Sequence, residues 1–252
     1  LSDPWPEGVG RFVLPRTDST NAQAMRLGPT LSGPTWIAAH EQAAGRGRRG
    51  REWVMPAGNF AGTLYLRPKG GVAAAAQLSF VAALALYDAL GAACGPAARL
   101  AIKWPNDVLL NGGKVAGILL ESAGTGAETQ AVCVGIGVNL AAAPDIGAVE
   151  TGAVTPVSVK GETGFTVTLE DFLDLLAPAF ARWQAQLDTY GFASIRNAWL
   201  ARAARLGETI IARTGKSETR GIFEGIDDTG ALILQTPSGR QVLPAADVFF
   251  GG

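Results

Sequence analysis

The chain has 252 residues, 21 of them basic and 22 acidic, for a formal net charge of −1. With 48% hydrophobic and 17% charged residues, bulk disorder is excluded, and no overall field is available to recruit nucleic acid or an anionic membrane. One histidine and two cysteines rule out a disulfide framework and leave no ligand set for zinc, and nothing near His40 points to a catalytic triad.

The first seven residues, Leu-Ser-Asp-Pro-Trp-Pro-Glu, lack the basic start and apolar core of a signal peptide, so a cytoplasmic, reducing compartment is the default expectation. Residues 11–14 read as a short strand. Ser19-Thr20-Asn21 offers N-cap chemistry for a helix over 22–27, and capping alone suffices to explain the three residues. Residues 35–39 read as a buried strand, and 42–51 are too rich in Gly and Arg for either regular element. A strand follows over 60–66. Residues 70–87 carry no charge, but they are alanine-rich, include Gln77 and Ser79 and meet Asp88 at once. A buried helix over 72–93 is the better reading than a membrane span. Strands over 100–104, 107–110 and 114–120 follow, with a break at Pro105 and a tight turn at Gly112-Gly113 that makes the last two a hairpin. Residues 130–140 form an apolar strand containing Gly135 and Gly137, which signal the close approach of a ligand or another backbone. Cys94 and Cys133 read as small buried hydrophobes. Helices are predicted over 169–187, kinked by Pro178, and over 192–206. Beyond them come four short strands, 208–213, 220–226, 231–236 and 240–243, separated by turn residues in the manner of a small β-barrel. The chain therefore divides into a large α+β unit, 1–206, and a small all-β unit, 207–252.

The densest chemical signal is Gly45-Arg46-Gly47-Arg48-Arg49-Gly50-Arg51. Arginines this close repel one another unless an anion or solvent lies between them. The glycines let the backbone approach a ligand, and guanidinium forks suit a phosphate or carboxylate. A solvated basic loop is the plainer alternative. The string is neither a Walker A loop, since no Gly-Lys-Ser/Thr closes it, nor a dinucleotide fingerprint. The second signal is Lys103-Trp104-Pro105-Asn106-Asp107 with Lys114 on the following strand. Whether the turn is Gly112-Gly113 or Asn111-Gly112, strand alternation puts Lys114 on the same sheet face as Asp107. Lys103 shares that face only if Pro105 leaves the strand untwisted. Buried charges of this kind are either a structural pair or functional. Asn139, at the end of a glycine-bearing strand, caps it or reads an amide-like ligand edge. Trp53 is either core or the flat wall of a small-molecule pocket.

Taken together, these motifs resemble the biotin protein ligases. The resemblance runs through Thr17-Asp18-Ser19-Thr20-Asn21, Glu41-Gln42-Ala43-Ala44 and the Gly/Arg string, Lys103-Trp104-Pro105-Asn106-Asp107, Lys114-Val115-Ala116-Gly117-Ile118-Leu119-Leu120-Glu121, and Gly135-Ile136-Gly137-Val138-Asn139, with residues 221–232 similar to the family's SH3-like barrel. It implies a mixed-sheet α+β catalytic domain of the biotin/lipoate ligase type over 1–206 and the barrel over 207–252. It also implies that biotin and MgATP form biotinyl-5′-AMP, from which a lysine of a biotin carboxyl carrier domain takes the biotinyl group. By the resemblance Lys114 meets the biotin carboxylate and the phosphate, Arg48 meets the adenylate phosphate, and Lys103 adds a further cation. Asp107 orients the acceptor lysine or a metal. Ser19, Thr20, Gln42 and the backbone of Gly45-Arg46 meet the ureido ring, and Trp53 flanks the valeryl chain. Asn106 and Asn139 sit near the nucleotide, and Asn21, Arg49, Arg51 and Gly117 complete the ligand-binding set. The Gly/Arg loop is expected to close over the adenylate. No protein-held metal is implied beyond Mg2+ on the nucleotide, a homodimer is allowed, and neither DNA nor membrane is an expected partner. Regulatory members carry an N-terminal helix-turn-helix domain, for which the position of Ser19 leaves no room. The stretch Gly58-Asn59-Phe60-Ala61-Gly62-Thr63-Leu64 departs from the family's shorter Gly-Asn-Leu. The rivals are a lipoate protein ligase of the same fold and a non-catalytic nucleic-acid binder, the latter disfavoured by a pI of about 5.9.

Overall fold

The computed structural model describes residues 3–68, 71–123, 131–145, 152–215 and 217–250; Leu1, Ser2, Gly70 and Gln130, which fall at the ends of stretches discussed above, lie outside them. The apolar runs over 35–39 and 60–66 are buried at every position, which requires a strand covered on both faces. They are the inner strands β2 (Thr35–Ala39) and β3 (Phe60–Leu66) of a seven-stranded sheet. Its other members are β1 (Gly10–Leu14), β4 (Leu100–Lys103), β5 (Asp107–Leu110), β6 (Gly113–Ala123) and β7 (Ala131–Val138), in the order β1-β2-β3-β7-β6-β5-β4. Only β1 and β2 run parallel; the remaining pairs are antiparallel.

One face of this sheet is covered by α2 (Gly71–Cys94) and α4 (Leu169–Tyr190), and α5 (Phe192–Leu200) packs against both helices. α2 is long and apolar enough to cross a membrane. Here Leu78, Val81, Leu84, Leu86 and Leu90 are all buried in the core, because α2 lies between the sheet and α4 and is covered nearly all round. α4 begins at a Thr168 cap, whose hydroxyl accepts from the Asp171 N–H, and runs unbroken through Pro178. The other face carries α1 (Thr20–Leu27), packed through Ala24 onto Ile37, Tyr65 and Cys133.

The structure departs from the sequence expectations in five places. Ser19 is the N-cap residue of α1, but its side chain makes no capping hydrogen bond. The tight turn is Asn111-Gly112, both left-handed at φ 51° and 89°, as a type I′ hairpin requires; the Asn111 side chain secures it by accepting the Arg99 N–H. The helix predicted to reach 206 stops at Leu200. The chain then pairs with the outer edge of β4, Ile102 N–H donating to Arg202 O and Ala204 N–H to Ile102 O, both at 2.8 Å. The unpaired groups of an edge strand compete with the last helical turn and win. A short helix, α3 (Val159–Thr163), capped by Ser158, was not predicted. Finally, the C-terminal sheet has five antiparallel strands rather than four: β8 (Thr209–Arg213), β9 (Glu218–Ile226), β10 (Leu232–Thr236), β11 (Gly239–Leu243) and β12 (Asp247–Phe249), in the order β11-β10-β9-β8-β12. β12 has three residues, too few for alternation to reveal it. This sheet is joined to the larger unit through Trp104, whose indole N–H donates to Gly230 O at 3.0 Å, and through the edge-on rings of Trp199 and Phe223.

Candidate active site

A single transverse row crosses the sheet on the face that bears α1. Lys103 pairs with Asp107, Asp107 with Gly117, Gly117 with Gly137 and Gly137 with Ala61. Charged residues hold one end of the row and residues with almost no side chain hold the middle, so the sheet face sinks into a trough. A cavity of about 470 Å³ fills it.

At the charged end Lys103 and Asp107 are each only 8% exposed. The Lys114 Nζ stands 2.8 Å from Asp107 Oδ1 and the Lys103 Nζ 3.6 Å from Oδ2. Pro105 lies in the turn between β4 and β5, outside both strands, and the two pair in direct register, so Lys103 does share the face of Asp107. Lys114 stands opposite Leu109, two residues along β5 from Asp107 and on the same face, and a bulge between Val108 and Leu109 separates it from Gly117. The bulge frees the Lys114 backbone to bond residues 155–157 instead, by Lys114 N–H to Thr155 O and Val157 N–H to Lys114 O. Burial pushes the Lys103 ammonium below its ordinary pKa. Burial would raise the Asp107 carboxyl, but Lys114 and Lys103 outweigh it and hold that group below the usual carboxylate range. Asp107 Oδ1 is buried and the Lys114 ammonium lies against it at 2.8 Å, on a residue that lines the cavity.

In the middle, the glycines have a concrete cause. A Cβ on Gly137 would lie 2.3 Å from the Trp53 ring, and one on Gly135 would lie 2.4 Å from Asn21 Oδ1. What approaches the strand is thus two side chains of this chain rather than another backbone. Trp53 lies flat across Gly117 and Gly137, with the Lys114 Nζ 5.7 Å from its ring. The loop leading to it is a closed turn. Gly45 O accepts the Trp53 N–H at 2.9 Å, Gly47 N–H donates to Arg51 O at 2.7 Å, and Arg49 and Gly50 take left-handed conformations. Gly45 has no room for a side chain, since its Cβ would meet Trp53 O at 2.5 Å. Arg46 bonds Glu121 at 3.3 Å, while Arg48, Arg49 and Arg51 converge on Asp247 of β12.

Beside α1 lies a chain of polar contacts. Gln42 Oε1 accepts both the backbone N–H and the hydroxyl of Thr20, at 2.7 and 3.1 Å. The Thr63 hydroxyl is within hydrogen-bonding distance of Thr20 Oγ1 and Asn21 Oδ1, and Asn21 Nδ2 donates to Glu121 Oε2 at 2.7 Å. Thr20 and Asn21 therefore serve the site rather than a helix cap: Thr20 orients Gln42 at the cavity wall, and Thr63 and Asn21 connect it to Glu121, the partner of Arg46.

Of the residues singled out in the sequence, Ser19, Thr20, Asn21, Gln42, Arg46, Arg48, Arg51, Trp53, Lys103, Asn106, Asp107, Lys114, Gly117 and Asn139 all line this cavity. Gly45 and Arg49 do not: Gly45 is packed behind Trp53 and Gln42, and Arg49 is turned toward Asp247. The amide nitrogens of Asn106 and Asn139 are spent on backbone carbonyls, those of Ile118 and Val157, so both shape loops at the rim. His40 sits elsewhere, 3.1 Å from Glu170. The sequence reading passed over Asp247 and Thr63 and gave Glu121 no role. Thr63 lies opposite Gly135 in the sheet, a partner that a strand assignment with register would have exposed. For Asp247 no local signal exists, as it meets Arg51 across 196 residues.

Comparison with known proteins places this geometry in context. Residues 13–139 match the biotin/lipoate A/B protein ligase family, and residues 206–251 match the biotin protein ligase C-terminal domain. A biotin–[acetyl-CoA-carboxylase] ligase of Paracoccus denitrificans is 80% identical over 240 residues, 95% of this chain and all of that protein. The bifunctional ligase/repressor BirA of Escherichia coli is 34% identical over 91% of this chain and 70% of its own length. Among solved structures, the biotin protein ligase of Aquifex aeolicus in complex with biotin and ATP shares the fold. Its TM-score is 0.76 at 23% identity, covering 95% of this chain and 97% of that one.

Proposed function

Because the chain belongs to the biotin/lipoate A/B protein ligase family, and within it is a biotin protein ligase, we propose that it activates biotin with ATP as biotinyl-5′-AMP and then transfers the biotinyl group to a lysine of a biotin carboxyl carrier domain. The observation that carries this reading is the convergence of the arginine loop and the lysine-bearing hairpin on one cavity.

In the first step a biotin carboxylate oxygen attacks the α-phosphorus of ATP, and the bond to pyrophosphate breaks. Nucleophile and electrophile are both anionic, so fixed cations must offset their repulsion and stabilise the charge of the transition state. Lys114 and Arg48, which both line the cavity, are assigned that work together with Lys103. Gln42, oriented by Thr20, reads the ureido ring, and Trp53 covers the valeryl chain. In the second step the acceptor amine attacks the acyl carbon, AMP leaves with the electron pair of the anhydride bond, and the amine loses a proton. Asp107, buried between the two lysines, is the residue assigned to orient that amine. Closure of the Gly/Arg loop keeps water from the mixed anhydride.

The cavity residues do not build a magnesium site. No group of three His, Cys, Asp or Glu is gathered among the described residues, and the Asp107 carboxylate faces two ammonium groups that would repel a divalent cation. Magnesium is accordingly assigned to the nucleotide phosphates, and no step is derived through it.

The test is ATP–pyrophosphate exchange with biotin or with lipoate, followed by transfer to a carrier domain read by intact mass. Biotin-dependent exchange and a mass gain of one biotinyl group are expected. Exchange that responds to lipoate instead would move the chain to the lipoate branch of the family.

A further inference from the structure

The polar contacts beside α1 run in one direction, and the acceptors at their far end set it. Asn21 Nδ2 faces two groups that only accept, Glu121 Oε2 at 2.7 Å and Leu119 O at 3.4 Å. The amide is therefore fixed with Nδ2 toward β6 and Oδ1 toward Thr63. It lies across Gly135, where a Cβ would come within 2.4 Å of Oδ1. Thr63, fully buried on β3, has a single hydroxyl proton, and Asn21 Oδ1, 2.7 Å away, takes it. The Thr63 oxygen, 2.8 Å from Thr20 Oγ1, is then an acceptor toward Thr20. The Thr20 proton has two acceptors inside the protein, that oxygen and Gln42 Oε1 at 3.1 Å. With either partner it points inward, and with the Thr63 proton committed to Asn21 no other described residue donates to Thr20 Oγ1. Thr20, Asn21 and Gln42 line the cavity, whereas Thr63 and Glu121 stand behind them.

We propose that Glu121 is a positioning residue for ligand selection. Acting through Asn21 and Thr63, its carboxylate sets the direction of the chain, so that Thr20 meets the ligand with lone pairs and not with a proton. A hydroxyl free to rotate donates or accepts as its partner requires; one held in this way discriminates. Gln42, whose Oε1 accepts the Thr20 N–H at 2.7 Å, has its Nε2 left to donate. An acceptor beside a donor matches one edge of a cyclic urea, an N–H next to a carbonyl, and repels a ring that carries oxygen in place of that N–H. The inference rests on the biotin reading above and deepens it, by assigning selection of a ureido N–H to a carboxylate that does not line the cavity. Glu121 also faces Arg46 at 3.3 Å, so its two contacts have to be told apart.

The experiment measures Kd by calorimetry for biotin and for the two cyclic carbamates in which one or the other ureido N–H is replaced by oxygen. The proteins are the parent, Thr63→Val, Thr63→Ser, Glu121→Met and the Thr63→Val/Glu121→Met double variant. In the parent, the carbamate lacking the N–H that faces Thr20 is expected to bind on the order of 100-fold more weakly than biotin, since a buried acceptor loses its donor and meets a second acceptor. Glu121→Met frees the Asn21 amide to turn over, and Thr63→Val removes the relay. Either change lets the Thr20 proton turn to the ligand oxygen and narrows the ratio by about tenfold. Together they narrow it no further, because both cut one chain. Thr63→Ser keeps the parental ratio. Loss of the Arg46 contact alone would weaken biotin and both carbamates alike and leave the ratio as it was. A parental ratio near one for both carbamates would overturn the proposal, as would an unchanged ratio in Glu121→Met or multiplicative effects of the two substitutions. A ligand-free arm follows the Asn21 side-chain amide protons by NMR, which are expected to exchange on the order of tenfold faster in Glu121→Met than in the parent. Equal exchange would also overturn the proposal, and this arm decides the matter even if Thr63→Val does not fold. Failure of the parent to bind biotin would count against the functional reading alone, since the NMR arm uses no ligand.

Discussion

Replacing Gly137 by alanine tests how the trough is built. The new methyl would stand 2.3 Å from Trp53 Cε2 and 2.5 Å from Cζ2 and Nε1. Ordinary carbon contacts are roughly 3.5–4.0 Å, so the indole must lift by at least about 1.2 Å. A ring locked in a core would turn that into about 1–3 kcal/mol of overpacking strain. Trp53 is only half-buried and can swing outward, so the cost falls on the site instead. The ring leaves the Lys114 ammonium now 5.7 Å away, a contact worth roughly 0.5–1 kcal/mol at such exposure, and it ceases to cover the ligand chain. About 1.4 kcal/mol in all corresponds to a tenfold rise in the KM for biotin, with the melting temperature little changed. Biotin-dependent pyrophosphate exchange measures it for Gly137→Ala, Trp53→Ala and the double variant. If displacement of the indole is the whole mechanism, alanine at 137 does nothing further once Trp53 is gone. Fully multiplicative effects of the two substitutions would refute it, as would a parental KM in the single variant.

Three other outcomes follow from the charge cluster and the loop. Lys114→Ala removes the cation nearest the reacting carboxylate in our reading and should abolish adenylate formation while the protein still melts cooperatively; adenylate made at the parental rate would remove Lys114 from the chemistry. Arg48→Gly should release biotinyl-5′-AMP faster, on the order of tenfold for one lost charged contact, and an unchanged release rate in a trapping assay would contradict that role. Asp107→Asn strands Lys103 without its counter-charge, and breaking a buried pair costs about 3–5 kcal/mol. Because the Asp107 carboxyl titrates below its unfolded value of about 3.9, the stability it confers is fully present above that pH and is lost as pH falls through the depressed native value. Urea denaturation should therefore give a constant gap between parent and variant from pH 8 to 5 that narrows below pH 4; a gap that already closes between pH 7 and 5 would show that Asp107 is not held charged by its lysines.

Much of this molecule was legible in one dimension because its signals are short-ranged. Strand alternation is a period of two, so Lys114 and Asp107 were bound to share a face whichever turn joined their strands. The glycines and arginines of residues 45–51 suggested an anion site with a solvated basic loop as the alternative, and the motif order carried the family. Tertiary structure decided what depends on meeting partners. Pairing of β4 with β5 brought Lys103 opposite Asp107, which no reading of Pro105 could settle. The glycines of β7 turned out to receive Trp53 and Asn21, and the supposed capping residues turned out to aim Gln42. Edge pairing with β4 ended α5 early. Asp247 shows the division most sharply. A carboxylate reveals nothing about the guanidinium it will meet, because Coulomb attraction acts through space, and only the folded chain closes the 196 residues between them to a few ångströms.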